Sequence, residues 1–227
     1  MLQACLNGSR TAEEHPALPL SPKRLAEDAA DVAAFGVTSV HLHPRDVIGG
    51  LTLVGPEVAT TIATVRAAVP GIEISVSTDV PGNRATLIGS WVALAAGKPD
   101  IARVHVADPG WRELARALHQ VNVGIELVVE TPAELGELPA GTSRIAVAAT
   151  RETAESVLRT VEPLGLPILL HGRDADAWPV LTYAARLEHH VRMGLEDTLL
   201  MPDGRTARNN AELVAMARRN QRSKAPS

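Results

Sequence analysis

The chain has 227 residues, enough for one large α/β domain, and AVILMFWYC make up 45% of it against 2% aromatics, so Val, Leu, Ile and Ala must fill the core. A net charge of −4 leaves no basic footprint for nucleic acid or an anionic membrane, and small molecules and further copies of the chain are the expected partners. Cys5, the single cysteine, excludes an intrachain disulfide and reads as a core residue; no run approaches the ~20 apolar residues of a membrane span, the start is too short and uncharged for a signal peptide, and a cytoplasmic protein is expected.

Residues 2–6 form a candidate first strand, closed by Asn7-Gly8 and followed by a polar loop long enough to lie over a site. Ser21-Pro22 starts a helix, with Ser as N-cap and Pro at the first helical position; Leu25, Ala29, Val32 and Ala33 form its apolar stripe, and Gly36 stops it. A strand bearing His41 and His43 follows at once. The pattern then repeats: helix 57–69, strand 71–78, helix 84–96, strand 101–106, helix 111–120, strand 123–129, a poorly patterned connection over 132–138, strand 144–149, helix 152–164, strand 167–170, helix 178–187, strand 190–194, and a last helix 210–219 capped by Asn209 or Asn210. Eight strands with crossovers long enough for parallel pairing are the number that closes a (β/α)₈ barrel. Residues 1–222 are read as one such domain, with 223–227 a disordered tail.

In a barrel of this kind the chemistry sits at the C-terminal strand ends, where His41, His43, Ser77, Asp108, His171 and Glu196 fall. His41 and His43 share one strand face, which Arg45 joins if the strand runs on that far; by the same parity Arg192, Gly194 and Glu196 share another. Two His and one Glu form a known ligand set for a catalytic zinc that keeps positions open for substrate. A lone His-x-His also fits a buried pair hydrogen-bonded at a strand end, and Arg192 with Asp197 also fits a structural ion pair. Glu126, inside a strand, must be paired if buried; His105 and His119 read as structural. No P-loop and no G-x-G-x-x-G are present.

Through His41-Leu-His43-Pro-Arg45-Asp46 and Arg192-Met-Gly194-Leu-Glu196-Asp197, with Asn7-Gly8, Pro16-Ala-Leu-Pro-Leu-Ser-Pro and Asn209-Asn-Ala-Glu-Leu-Val flanking them, the chain resembles the β-keto acid cleavage enzymes. The resemblance spans most of the chain and is weakest over 132–167. It implies a zinc-dependent barrel enzyme that exchanges an acetyl unit between acetyl-CoA and a β-keto acid, giving acetoacetate and a new acyl-CoA. By position it assigns zinc to His41, His43 and Glu196, the base to Asp197 held by Arg192, and substrate contact to Ser77; Asp108, Glu126 and Arg10 are further candidates for the substrate. It also implies a homo-oligomer. Where relatives that take an aminated keto acid carry an acid after the first strand, Arg10 stands here, so a neutral or anionic substrate is expected. The glycine-rich sequence that relatives carry after a later strand is replaced by Ala148-Ala-Thr-Arg-Glu. Two rival readings stay open: another zinc-dependent barrel, a hydrolase or aldolase, and a zinc scaffold that binds a metabolite without turning it over.

Overall fold

The computed structural model describes residues 1–132 and 136–222, with side chains at all of these but 95, 96 and 222; the tail expected over 223–227 lies outside them. Eight strands, β1 (Leu2–Cys5), β2 (Ser39–Leu42), β3 (Glu73–Ser77), β4 (Ile101–His105), β5 (Gly124–Val129), β6 (Thr142–Ala148), β7 (Ile168–His171) and β8 (His190–Met193), pair in parallel in chain order. β8 returns to β1 through Leu2 against Val191 and closes the barrel. The fold is a (β/α)₈ barrel. Its helices are α1 (Pro22–Ala33), α2 (Gly55–Ala68), α3 (Arg84–Gly89), α4 (Trp111–Gln120), α5 (Ala154–Val161), α6 (Ala177–Arg186) and α7 (Asn210–Arg222).

Local chemistry explains the element ends. Ser21 Oγ accepts from the Arg24 amide at 3.3 Å, with Pro22 opening α1. Asn209 caps α7, its Oδ1 accepting from the Glu212 amide at 3.0 Å, which decides between the two asparagines. Three expected elements need correction. The helix expected over 84–96 is α only to Gly89 and then tightens into a 3₁₀ turn, Ser90–Gly97; Ser90 Oγ bonds back to the Leu87 carbonyl at 2.6 Å and the buried Trp91 donates to the Leu53 carbonyl at 2.9 Å. The helix expected over 152–164 ends as α at Val161, because Pro163 offers no amide to continue it. β8 stops at Met193, so strand parity does not carry as far as Glu196.

Alternate strand residues divide the molecule into two chemically different layers. Leu2, Ala4, Val40, Leu42, Ile74, Val76, Ala102, Val104, Ile125, Leu127, Ile145, Val147, Leu170 and Val191 point outward and join the helices in one continuous apolar core. The inward set is mostly polar: Gln3, Ser39, His41, Ser75, Ser77, Arg103, Glu126, Arg144, His171 and Arg192 are all buried. Among the described residues, Val128, Ala146 and Leu169 form a small buried apolar cluster apart from that core. Barrel interiors are usually packed with branched aliphatics. A polar interior keeps its geometry only if every group is paired.

Candidate functional site

His41 lies within β2 and His43 one residue beyond it. Asn7, at the end of β1, holds the His43 backbone from both sides: its Nδ2 donates to the His43 carbonyl at 3.0 Å and its Oδ1 accepts from the His43 amide at 2.9 Å. Glu196 arrives by a turn after β8, closed by amides of Asp197 and Thr198 on the Gly194 carbonyl at 2.9 and 3.1 Å. Glycine is required at 194, since a Cβ there would stand 2.0 Å from the Cys5 carbonyl oxygen. Glycine is equally fitting at 8, where φ is +58° and a Cβ would lie 2.6 Å from Glu196 Cγ.

The ligand atoms of His41, His43 and Glu196 lie within 4.8 Å of one another. Each imidazole Nε2 is 3.7 Å from Glu196 Oε2, and the rings stand edge to face at 89°. His41 Nε2 and Glu196 Oε2 are buried without a hydrogen-bond partner, an arrangement that a cation between them would satisfy. The other polar atoms of His41 and Glu196 are already engaged, Ser75 Oγ lying 3.0 Å from His41 Nδ1 and Arg192 donating to Glu196 Oε1 at 2.6 Å, while His43 Nδ1 is buried without a partner. Such partners fix ligand orientation and leave one oxygen free for a metal. Burial, reinforced by Arg103 and His43, holds His41 well below its usual pKa, in the neutral form that a metal needs. These residues fit a divalent metal of the zinc type.

Behind the cluster runs a chain of alternating charges. Glu73 pairs with Arg144 at 2.7 Å, Arg144 with Glu126 at 2.5 Å, Glu126 with Arg103 at 3.0 Å, Arg103 with Glu196 at 3.5 Å, and Arg192 with Glu196 at 2.6 Å and Asp197 at 2.5 Å. Arg103, Glu126 and Arg144 are register neighbours on β4, β5 and β6. Sequence reasoning passed over Arg103 and Arg144; the available signal was an arginine set inside an apolar strand. The chain sets Arg103, Arg144 and Arg192 against four carboxylates, of which Glu73 is partly exposed, so an added divalent cation leaves the set positive and receptive to an anion.

The other candidates divide. Ser77 and Arg10 line a cavity of about 240 Å³ with His43, Arg103, Arg173 and Glu196. Arg10 is clamped by Glu14 at 3.1 Å and Asp174 at 2.9 Å. Asp197 follows the cavity-lining Glu196 but is buried and does not itself line the cavity, its Oδ1 taken by Arg192 and its Oδ2 without a partner. Burial drives its carboxyl above the usual range, against Arg192. Glu126 and Asp108 do not line this cavity: Glu126 is enclosed between Arg103 and Arg144, and Asp108 pairs with Arg84 at 2.6 Å. Arg45, which parity placed with the histidines, turns away and clamps the carbonyls of Gly8, Arg10 and Gly49. His105, expected to be structural, lines the cavity, with burial and Arg103 lowering its pKa to about 4. His171 is buried at the end of β7, accepting from Arg103 at 3.3 Å, with its Nδ1 3.9 Å from Asp197.

Fold and site together define a (β/α)₈ barrel whose mouth joins a His–His–Glu cluster to a buried ion chain. A family model for the β-keto acid cleavage enzymes matches residues 1–165 and 140–224, and the chain belongs to that family. Among solved structures, the apo form of ObcA superposes with a TM-score of 0.68 at 17% identity, covering 90% of this chain and 61% of ObcA. A ternary complex of ObcA with a C4-CoA adduct and oxalate gives 0.69 at 17%, covering 92% and 64%. The type I 3-dehydroquinate dehydratase of Clostridium difficile gives 0.61 at 10%, covering 98% and 92%. At these identities the likeness is one of fold, and this chain spans less than two thirds of ObcA. Among the described residues no helix is long and apolar enough to cross a membrane.

Proposed function

We propose that this protein is a zinc-dependent β-keto acid cleavage enzyme that exchanges an acetyl unit between acetyl-CoA and a β-keto acid, yielding acetoacetate and a new acyl-CoA. The observation that carries this reading is the convergence of His41, His43 and Glu196, each with an orphaned buried atom, in a chain of this family. When bound, the metal would polarise a substrate carbonyl and stabilise the negative charge that develops on its oxygen. ObcA has been captured with oxaloacetate and with a C4-CoA adduct, which makes an anionic keto acid and a CoA thioester the ligand classes to test.

The chain's own residues supply the rest. Asp197 takes the proton from the carbon between the two carbonyls of the keto acid, and Arg192 keeps that carboxylate oriented. The carbanion then attacks the thioester carbonyl and expels the CoA thiolate; that thiolate adds to the keto acid's original carbonyl, and reverse Claisen cleavage releases the new acyl-CoA and an acetoacetate carbanion that takes the proton back from Asp197. Ser77 and Arg10 face the substrate, and the positive set that results once a cation joins the ion chain favours its carboxylate. Arg10 and Asp174 also border an apolar groove of about 770 Å³ lined by Trp178, Leu199 and Met201, suited to the uncharged arm of a CoA thioester. The subunits are expected to assemble as a homo-oligomer.

The test is incubation with acetyl-CoA and a panel of β-keto acids, beside metal analysis of the protein and of His41→Ala/His43→Ala. Acetoacetate formation, with about one zinc per chain that the double variant loses, is the expected result. Substrate loss without CoA would favour a metal hydrolase or aldolase, and bound zinc without turnover a metabolite-binding scaffold.

A further inference from the structure

β1 bears none of the candidate ligands, yet its end touches both of the segments that do. Asn7 grips the backbone of His43, and one residue earlier the Leu6 carbonyl accepts from Asn210 Nδ2 at 2.8 Å. The same Asn210 side chain accepts from the Leu195 amide at 2.6 Å and donates to Asp28 Oδ2 on α1 at 2.6 Å. Leu195 immediately precedes Glu196. Asn210 is fully buried, and all three bonds leave its own helix, whose cap is Asn209. Without its oxygen the Leu195 amide would be buried and unpaired, a costly state that the turn would relieve by moving. Glycine at 194 admits the contact, since a Cβ there would come within 2.8 Å of Asn210 Oδ1.

We propose that Asn210 is a positioning residue for the metal centre, its side-chain amide locking the Glu196 turn to the end of β1 and so setting the separation of Glu196 from the histidine pair. The inference rests on the metal reading above. It gives the sequence pair Asn209-Asn210 two separate tasks, helix capping and site geometry. Because the contact runs through Leu195, Asn210 acts on where Glu196 stands and not on its charge.

The experiment titrates the metal-free protein with Co²⁺, whose visible absorption reports coordination geometry, and records the melting temperature in parallel. Asn210→Ala is compared with Leu213→Ala, an apolar core truncation on the same helix. The expected result is a Co²⁺ affinity weakened roughly 10–100-fold with an altered absorption band in Asn210→Ala, and near-native affinity and band in Leu213→Ala despite a lower melting temperature. Should Asn210→Ala not fold, Asn210→Ser, at home in a first helical turn, is read by the same criteria. Unchanged affinity and band in the Asn210 variant, or a loss matched by Leu213→Ala, overturns the proposal; native protein that takes up no Co²⁺ overturns the metal reading and this inference with it.

Discussion

Glu196 and Asp197 are adjacent carboxylates sharing one arginine, yet their surroundings drive them apart. Burial disfavours the charge on Glu196, but Arg192, His41 and His43 outweigh it and hold the carboxyl well below its ordinary range. On Asp197 burial prevails, aided by the charge of Glu196, and the carboxyl is raised. A carboxylate kept ionised suits a ligand, and one made more basic suits a proton acceptor. Asp197→Asn is therefore expected to keep its metal and fold while losing roughly 10²–10⁴-fold in kcat, whereas Glu196→Gln is expected to lose metal first. The check is kcat beside zinc stoichiometry for both variants, and full turnover in Asp197→Asn would remove that residue as the base.

At the scale of elements, the ion chain ties β4, β5 and β6 together from inside the barrel, while α1 and α7 meet through Asn210. Glu126 is the only carboxylate between Arg103 and Arg144 among the described residues. Glu126→Gln leaves two buried guanidiniums poorly compensated and is expected to cost about 3–5 kcal/mol, read from urea unfolding, although Glu126 does not reach the cavity. Asp108→Asn, which breaks a more exposed pair, should cost about 1 kcal/mol or less. Asp28 carries the opposite lesson. Burial, helped by Asp31 and opposed by Asn210, raises its pKa from 3.8 to about 7. An acid with a raised folded-state pKa binds its proton more tightly when folded, so its contribution is fully present below the unfolded value and is lost as pH climbs through the folded one. The stability of the native chain relative to Asp28→Asn is thus expected to fall between about pH 4 and 7 and to stay level above that, measured as urea midpoints at pH 5, 6 and 8.

For the whole molecule, closure makes the two ends of the chain interdependent. β8 must pair with β1 before Glu196 can meet the histidines of β2, so the metal should bind only the closed barrel. A metal bound only by the folded form at a hundredfold excess over its Kd adds about 2.7 kcal/mol. For a chain of this size that amounts to roughly 5–10 °C in melting temperature. Chelation should lower the transition by this amount in the native protein and leave His41→Ala/His43→Ala unmoved; equal shifts in both would place the ion elsewhere.

The eightfold alternation of strand and helix was legible because the outward strand residues and the helix stripes are apolar at fixed periods, a purely local property. Ser21-Pro22, the helix over 111–120 and the histidine pair could be read for the same reason, each being set by neighbours in the chain. Glu196 was legible as a candidate through its motif, but strand parity ends with β8 at Met193, and a turn delivers the residue instead. Whether the interior is aliphatic or ionic was not legible, because a strand's period says which residues face inward and nothing about what they meet there. Arg103, Glu126 and Arg144 become partners only when β4, β5 and β6 pair in register, and Asn210 reaches Leu6, Asp28 and Leu195 only once the barrel has closed. The sequence alone therefore determined the barrel and nominated the cluster at its mouth. The pairing of every buried charge, and with it which carboxylates face the cavity, was decided by tertiary structure, because such pairs form between residues whose separation along the chain carries no periodic signal.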